Sequence, residues 1–187
     1  MVRDSAATKA RILDAATAEF AAHGLAGARV DQIAERAGAN KQLIYAYFQS
    51  KEKLFDSTLE ANVERLLDEV PFDAHDLPGY AQQLFDFSRK HPELTRLALW
   101  HTLERPGVLA TLPQYTESTV RKLNRLAEAQ AAGEIDTTLT PEQLLGLLTA
   151  VVYSSAIGDL AALPGDVHGL ASRRDAIAFV VRRLIAR

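Results

Sequence analysis

The feature that most constrains the fold is a pair of short helical patterns between Val30 and Phe48, with a glycine between them. In the first pattern, apolar residues recur at helical spacing, at Val30, Ile33, Ala34 and Ala37. Gly38 provides the backbone freedom that ends a helix, and Asn40 is a preferred N-cap for the next one. The second helix then places Ile44 and Phe48 on one face, where they can pack against the first. The segment therefore predicts two short helices joined by a tight turn.

The remaining face of the second helix carries residue types that suit DNA better than solvent. Lysine and tyrosine side chains can hold phosphate oxygens, the Gln42 amide has the paired donor and acceptor that suit adenine, and Leu43 can contact a thymine methyl group. Ser50 is the expected N-cap of a further helix, which puts Lys51 at a helix N-terminus where a phosphate can bind. The residues expected to contact DNA are Arg29, Asn40, Lys41, Gln42, Leu43, Tyr45, Tyr47 and Lys51.

The order of residues around this segment resembles the helix-turn-helix of the TetR family, the one-component bacterial repressors named after the tetracycline repressor. That family has a small-residue first helix ending in Phe and Gly, an IA..AG turn, a tyrosine-rich recognition helix and an SKE.L helix start. Roughly residues 8 to 60 of this chain carry the corresponding residues: Arg11-Ile12-Leu13, Ala15-Ala16, Phe20 and Gly24, then Ile33-Ala34 and Ala37-Gly38, then Ile44-Tyr45-Ala46-Tyr47-Phe48, and Ser50-Lys51-Glu52 with Leu54.

Two places depart from the family pattern. Many relatives have Thr or Ser just before the second helix, where the hydroxyl caps it, whereas this chain has Ala28 and Arg29. Arginine can reach a phosphate but cannot cap a helix. Many relatives also have Gly-Thr after the lysine of the recognition helix, where this chain has Gln42 and Leu43. The operator sequence of a relative therefore does not transfer to this chain.

The resemblance implies an all-α fold of about nine helices. A three-helix, helix-turn-helix DNA-binding domain is expected over residues 1–52, and a larger helical effector-binding and dimerisation domain over residues 53–187. The implied function is a sequence-specific transcriptional regulator, most often a repressor that a small-molecule effector releases from its operator. The last two helices would form a homodimer, which places two recognition helices about one DNA turn, ~34 to 36 Å, apart on a palindromic operator.

The resemblance also implies an effector pocket in the helical body. Candidate lining residues combine apolar surface with a few polar tips, as pockets prefer. They are Leu84, Phe87, Leu97, Trp100, His101, Leu112, Tyr115 and Tyr153. Each of them could instead be an ordinary core residue, because aromatic residues at helical spacing usually pack in a core. For His101, a solvent-facing or hydrogen-bonded role is an alternative to contact with an effector.

Helical spacing and end signals predict the other elements. A helix capped by Thr8 is expected to end at Gly24, and another to run from Ser50 to about residue 69. Proline, glycine and aspartate indicate a loop over residues 70–79. Later helices are expected over residues 80–90, 92–104 and 114–132, from a capping box at Thr140 and Gln143, and around residues 177–185.

Composition limits the possible classes of protein. The 187 residues include no cysteine, which excludes disulfides, thiol catalysis and cysteine metal sites. No apolar run reaches the roughly 18 residues of a membrane span, and the N-terminus lacks the apolar core of a signal peptide, so a cytoplasmic location is expected. The net charge is −3, but residues 1–55 carry 8 Lys or Arg against 6 Asp or Glu. A locally positive patch is enough to neutralise phosphates.

The sequence offers little support for an enzyme. The five histidines form no HExxH motif, and neither a GxSxG motif nor a phosphate-binding glycine loop is present. We therefore expect no catalytic activity, no metal site and no cofactor. The alternative is a helical dimeric module that binds a ligand or a protein but not DNA. The surface of Lys41, Gln42 and Tyr47 separates the two hypotheses, because such a module would not need it.

Overall fold

In the computed structural model of the protein, residues 2–156 and 169–186 are described. This part of the chain is helical and contains no strand, as the sequence predicts. Its α-helices are α1 (Val2–Gly27), α2 (Val30–Ala37), α3 (Lys41–Phe48), α4 (Lys51–Glu69), α5 (Leu77–Lys90), α6 (Pro92–Glu104), α7 (Pro113–Ala131), α8 (Pro141–Ala156) and α9 (Gly169–Ile185). A single 3-10 turn, Leu109–Thr111, precedes α7. No helix among the described residues is long and apolar enough to cross a membrane.

Two helices begin earlier than predicted. Helix α1 begins at Val2 instead of Thr8, and the segment before Thr8 contains no proline or glycine that would prevent a helix. Helix α5 begins at Leu77, within the segment predicted to be a loop. The Asp76 side chain caps α5 by accepting the Gly79 N–H at 2.9 Å. Pro78 lies in the first turn, where its missing N–H leaves no helical bond unmade.

The chain forms two compact units. The first contains Met1–Arg65 and Glu93–Tyr115, and the second contains Leu66–Pro92 and Thr116–Arg187. Helix α6 thus belongs to the same unit as the three N-terminal helices. The predicted domain boundary after residue 52 falls in the first turn of α4 and stays a prediction.

The core of the first unit is built from the apolar faces of α1 to α4 and α6. The Phe20 and Phe55 rings meet edge to face with their centroids 4.8 Å apart, and both side chains are fully buried. The buried core residues are Ile12, Ala15, Ala16, Phe20, Ala28, Val30, Ile33, Ala34, Ala37, Ile44, Phe48, Leu54, Phe55 and Leu97. This core fixes α2 and α3 against α1.

In the second unit, α5 packs against both α8 and α9. The capping box predicted at the start of α8 is confirmed, since the Gln143 N–H donates to Thr140 Oγ1 at 3.3 Å and the Thr140 N–H donates to Gln143 Oε1 at 3.0 Å. Arg174 of α9 pairs with Asp86 of α5 at 2.9 Å. The buried apolar residues of these helices include Leu77, Ala81, Phe85, Leu144, Leu148, Val152, Ile177, Ala178 and Val181.

Candidate nucleic-acid interface

The turn between α2 and α3 has the predicted geometry. Gly38 has a left-handed backbone, with φ 60° and ψ 39°, and its N–H bonds to carbonyls of the last turn of α2. Asn40 caps α3, because its side-chain oxygen accepts the Leu43 N–H at 2.7 Å. The buried residues of α3 are Ile44 and Phe48, which belong to the same core as the apolar face of α2. The predicted helix-turn-helix is therefore confirmed.

The N-terminus of α2 is supported by a residue that sequence reasoning missed. Arg29 occupies the N-cap position but its side chain makes no capping bond. Instead, the buried carboxylate of Glu19 accepts the Arg29 N–H at 3.0 Å. This is the bond that an N3 glutamate makes in a capping box, supplied here by α1. The available signal was a carboxylate within the apolar face of α1, one turn after Ala15 and next to Phe20.

The exposed face of α3 carries most of the predicted base and phosphate contacts. Lys41, Gln42 and Tyr45 are exposed, and Leu43 is half-buried. Lys41 Nζ lies 3.1 Å from a carboxylate oxygen of Asp31 on α2, so a phosphate would have to replace this partner. Both side chains of the pair are largely in solvent, where such a pair contributes little to stability. The Lys41 charge can therefore exchange partners at small cost.

Tyr47 is less exposed to solvent than predicted. Its ring is half-buried against the core of the first unit, and its hydroxyl lies 3.0 Å from Ser5 Oγ on α1. This bond joins the recognition helix to the start of α1. A phosphate contact by the Tyr47 hydroxyl would share the oxygen with Ser5 and stays a prediction.

The link between α3 and α4 is a tight turn. Gln49 has φ 67° and ψ −47°, and the Ser50 N–H donates to the Phe48 carbonyl at 2.8 Å, which is the geometry of a strained γ-turn. Ser50 then caps α4 as predicted, because its Oγ accepts the Lys53 N–H at 3.1 Å. Lys51 is half-buried, and its Nζ donates to the Ala26 carbonyl at 3.3 Å.

Helix α6 holds the corner where α1 ends. Gly24 has φ 65° and ψ −175°, which breaks the regular helix at the predicted residue. The Glu104 carboxylate accepts the N–H groups of Leu25 and Ala26, at 2.5 and 3.1 Å. Trp100 Nε1 donates to the Ala21 carbonyl at 3.3 Å. The Ala26 carbonyl of this corner also accepts from Lys51 Nζ, and Arg29 follows three residues later, so α6 supports the segment beside two predicted phosphate contacts.

His101 is a buried residue of the first unit. Its ring stacks on Phe55, with centroids 3.8 Å apart and planes within 8°, and only 3% of the residue is exposed. Its Nε2 lies 3.0 Å from the Phe55 carbonyl oxygen, which can only accept, so Nε2 carries a proton and donates to that oxygen. Burial lowers the pKa of His101, against the opposing influence of the Phe55 carbonyl and Asp56. This is the hydrogen-bonded alternative that the sequence left open.

The predicted pocket residues are divided between the two units. Leu97 is in the core of the first unit, and Trp100 and His101 make the contacts given above. Leu112 and Tyr115 also belong to the first unit, whereas Leu84, Phe87 and Tyr153 belong to the second. Phe87 contacts the His91 ring at a centroid distance of 4.8 Å. An effector role for these eight residues stays a prediction.

Comparisons with known proteins agree with the helix-turn-helix geometry. Residues 12–58 match the model of bacterial regulatory proteins of the tetR family, and residues 76–183 match the tetracyclin repressor-like C-terminal domain. The chain belongs to the TetR family. It is 40% identical to the HTH-type transcriptional repressor SCO4008 of Streptomyces coelicolor over 99% of this chain and 98% of that protein.

Solved structures of other proteins have the same fold. The crystal structure of SCO4942 from Streptomyces coelicolor superposes with a TM-score of 0.83 at 36% identity, over 96% of this chain and 99% of that one. Salmonella enterica GusR superposes with a TM-score of 0.73 at 23% identity, over 96% of both chains, which shows the fold alone. The predicted family and fold are confirmed. The protein is a DNA-binding transcriptional regulator of the TetR family.

Proposed function

We propose that this regulator is a repressor that binds a palindromic operator as a homodimer and leaves it when a small-molecule effector binds. The observation that carries the proposal is the helix-turn-helix, in which both helix ends of the turn are capped and α3 presents Lys41, Gln42 and Tyr45 to solvent. The similarity to a named repressor over nearly the whole chain supports repression as the outcome of binding. Because such an operator is chromosomal, we expect the protein in the cytoplasm.

The proposed contacts divide into two classes. Arg29, Lys41 and Lys51 would neutralise phosphates, whereas Gln42 and Leu43 would contact base edges. Asn40, Tyr45 and Tyr47 would make further contacts with the DNA backbone. Asn40 would use its side-chain NH₂ group, since its side-chain oxygen caps α3, and the tyrosines would use their hydroxyls. All these residues lie on α3, directly before α2 or α3, or at the first position of α4. Contact with a phosphate fixes register, and contact with a base gives sequence preference.

Exposed apolar residues on the last two helices support the homodimer. Leu147 of α8 is 42% exposed, and Phe179 and Val180 of α9 are 56% and 38% exposed. Large exposed apolar side chains on two helices that pack against each other favour a surface that another protein surface covers. A second copy of α8 and α9 would bury them, and the resulting two-fold axis would match a palindromic operator.

The proposal is tested by selecting binding sites from random DNA with the full chain and with Phe179→Asp. The wild-type chain is expected to select a two-fold symmetric site and to sediment as a dimer. Phe179→Asp is expected to sediment as a monomer and to bind the same site at least tenfold more weakly, because one half-site contributes less than two. Val120→Asp is the control, since Val120 is a similarly exposed apolar residue on α7. A monomeric wild type, or selected sites without symmetry, would contradict the proposal.

A further inference from the structure

A cavity of about 240 Å³ lies in the second unit between the end of α4, the loop after it and α7. One wall is apolar, formed by Leu67, Val70 and Phe72. The other wall is on α7, and its charged residues are all basic. The residues of this wall are Ser118, Arg121, Lys122 and Arg125. None of the eight residues predicted from the sequence to line an effector pocket lines this cavity.

Lys122 is the residue that gives this cavity its chemistry. Its ammonium group lies 2.9 Å from the Tyr80 hydroxyl and over the Phe72 and Tyr80 rings, at 5.9 and 5.4 Å from their centroids. In the part of the chain that the structure describes, it forms no ion pair with a carboxylate. Burying a charged group without a counter-ion costs free energy and favours its neutral form. Accordingly, burial lowers the pKa of Lys122. The site therefore favours an anion.

The two arginines of the same wall are available to an anion as well. Arg121 precedes Lys122 directly, and Arg125 follows it by almost one helical turn. Their carboxylate partners, Glu117 at 3.9 Å and Glu128 at 3.2 Å, lie on the same helix and are largely in solvent. Such exposed pairs contribute little and can exchange for a ligand. Guanidinium groups also bind carboxylates in a planar, two-point geometry.

We propose that this cavity binds a small organic anion with an apolar body, such as an aromatic or short aliphatic carboxylate. The charged group faces Lys122, Arg121 and Arg125, and the apolar body lies on Leu67, Val70 and Phe72. The cavity volume suits a ligand at the small end of the range for binding pockets. The claim that this ligand is the effector rests on the function proposed above. The claim that it binds the free protein does not depend on that function.

The inference is tested with benzoate and its uncharged analogue benzamide, titrated into the full chain without DNA and followed by calorimetry. Benzoate is expected to bind at least tenfold more tightly than benzamide, because charge-assisted contacts contribute only with the anion. Lys122→Met keeps the length and apolar stem of the side chain and is expected to weaken benzoate binding at least tenfold. Lys90→Met is the control, since Lys90 is an exposed lysine of the same unit that pairs with Glu69.

Two further measurements keep the test decisive. If Lys122→Met melts without a cooperative transition, the double variant Arg121→Gln with Arg125→Gln takes its place, because both side chains are exposed. Equal binding of benzoate and benzamide, no binding of either, or unchanged benzoate binding in the folded variants would overturn the proposal. Operator binding of Lys122→Met without ligand should equal that of the wild type. Loss of operator binding by the wild type itself would contradict the proposed function and leave the anion site standing.

Discussion

At the scale of single residues, Gly24 shows how the corner before α2 depends on one side chain being absent. Its φ of 65° and ψ of −175° lie in a region that is essentially limited to glycine. A Cβ atom at this position would also lie 2.8 Å from Trp100 Cε3 and 2.9 Å from Glu104 Oε2. Backbone conformation and packing therefore both require glycine here.

Gly24→Ala is expected to lower the free energy of unfolding by about 2 to 3 kcal/mol, since strain and steric overlap add. Urea unfolding measures the change. The control is Gly27→Ala: Gly27 is exposed and helical, and its Cβ would lie at an ordinary 3.4 Å from His23 Cβ. Gly27→Ala should leave the stability unchanged or raise it slightly. Equal losses in the two variants would refute the role assigned to the corner.

His101 makes the stability of the first unit depend on pH. Burial lowers its pKa in the folded protein, so the unfolded chain binds a proton at a pH where folded His101 does not. The contribution is complete above the unfolded pKa, near 6.5, and is lost as the pH falls below it. The free energy of unfolding should therefore decrease on acidification, by at most about 1.4 kcal/mol per pH unit from this group.

The measurement is the urea unfolding of the wild type and of His101→Gln at about pH 7.5 and about pH 5.5, one unit on either side of the ordinary histidine pKa. Glutamine can still donate to the Phe55 carbonyl but does not titrate. The free energy of unfolding of the variant is expected to depend less steeply on pH than that of the wild type. His23→Gln, which replaces an exposed histidine of the same unit, is the control. Parallel curves for wild type and His101→Gln would contradict this account.

At the scale of helices, the sequence predicts the helix-end contacts that join residues close together in the chain. Gly38 and Asn40 act on neighbours within the same turn, and so the turn between α2 and α3 could be predicted. Glu19 and Glu104 could not, because their N–H partners are 10 and 79 residues away in the sequence. A long-range partner becomes visible only when the helices are packed. The same reason explains why the predicted pocket residues were divided between two units.

The pairing of α2 with α3 leads to a prediction about DNA affinity. Asp31 holds Lys41 in the free protein and places a negative charge beside the proposed path of a phosphate. Asp31→Asn is expected to raise operator affinity about two- to fivefold, a change that corresponds to the free energy of an exposed ion pair. Lys41→Ala is expected to weaken binding and to lower the slope of log K against log salt by about 1, through the loss of one phosphate contact.

The two substitutions are best measured together, by titrating operator DNA at several salt concentrations. If Asp31 acts through Lys41, Asp31→Asn should have a smaller effect in the Lys41→Ala background than in the wild type. Lys90→Ala, which removes a lysine outside the proposed interface, should leave affinity and salt slope unchanged. An unchanged slope in Lys41→Ala would remove this lysine from the interface.

At the scale of the whole molecule, the chain combines an N-terminal helix-turn-helix with a larger helical domain and an overall charge of −3. A negative total charge is compatible with DNA binding, because residues 1–55 hold more basic than acidic residues. The anion cavity and the exposed apolar residues of α8 and α9 both lie in the second unit. The proposed effector and partner contacts therefore lie in the second unit, whereas the proposed DNA contacts lie in the first.

The central claim is that the exposed face of α3 reads DNA sequence, and Gln42 tests it most directly. The measurement is the affinity of the wild type and Gln42→Ala for the selected operator and for operators with each base pair replaced in turn. We predict that Gln42→Ala loses the preference at one position of each half-site, worth about 1 to 3 kcal/mol, and keeps the others. An equal loss of affinity for every sequence, or no loss at all, would contradict direct reading of a base by Gln42.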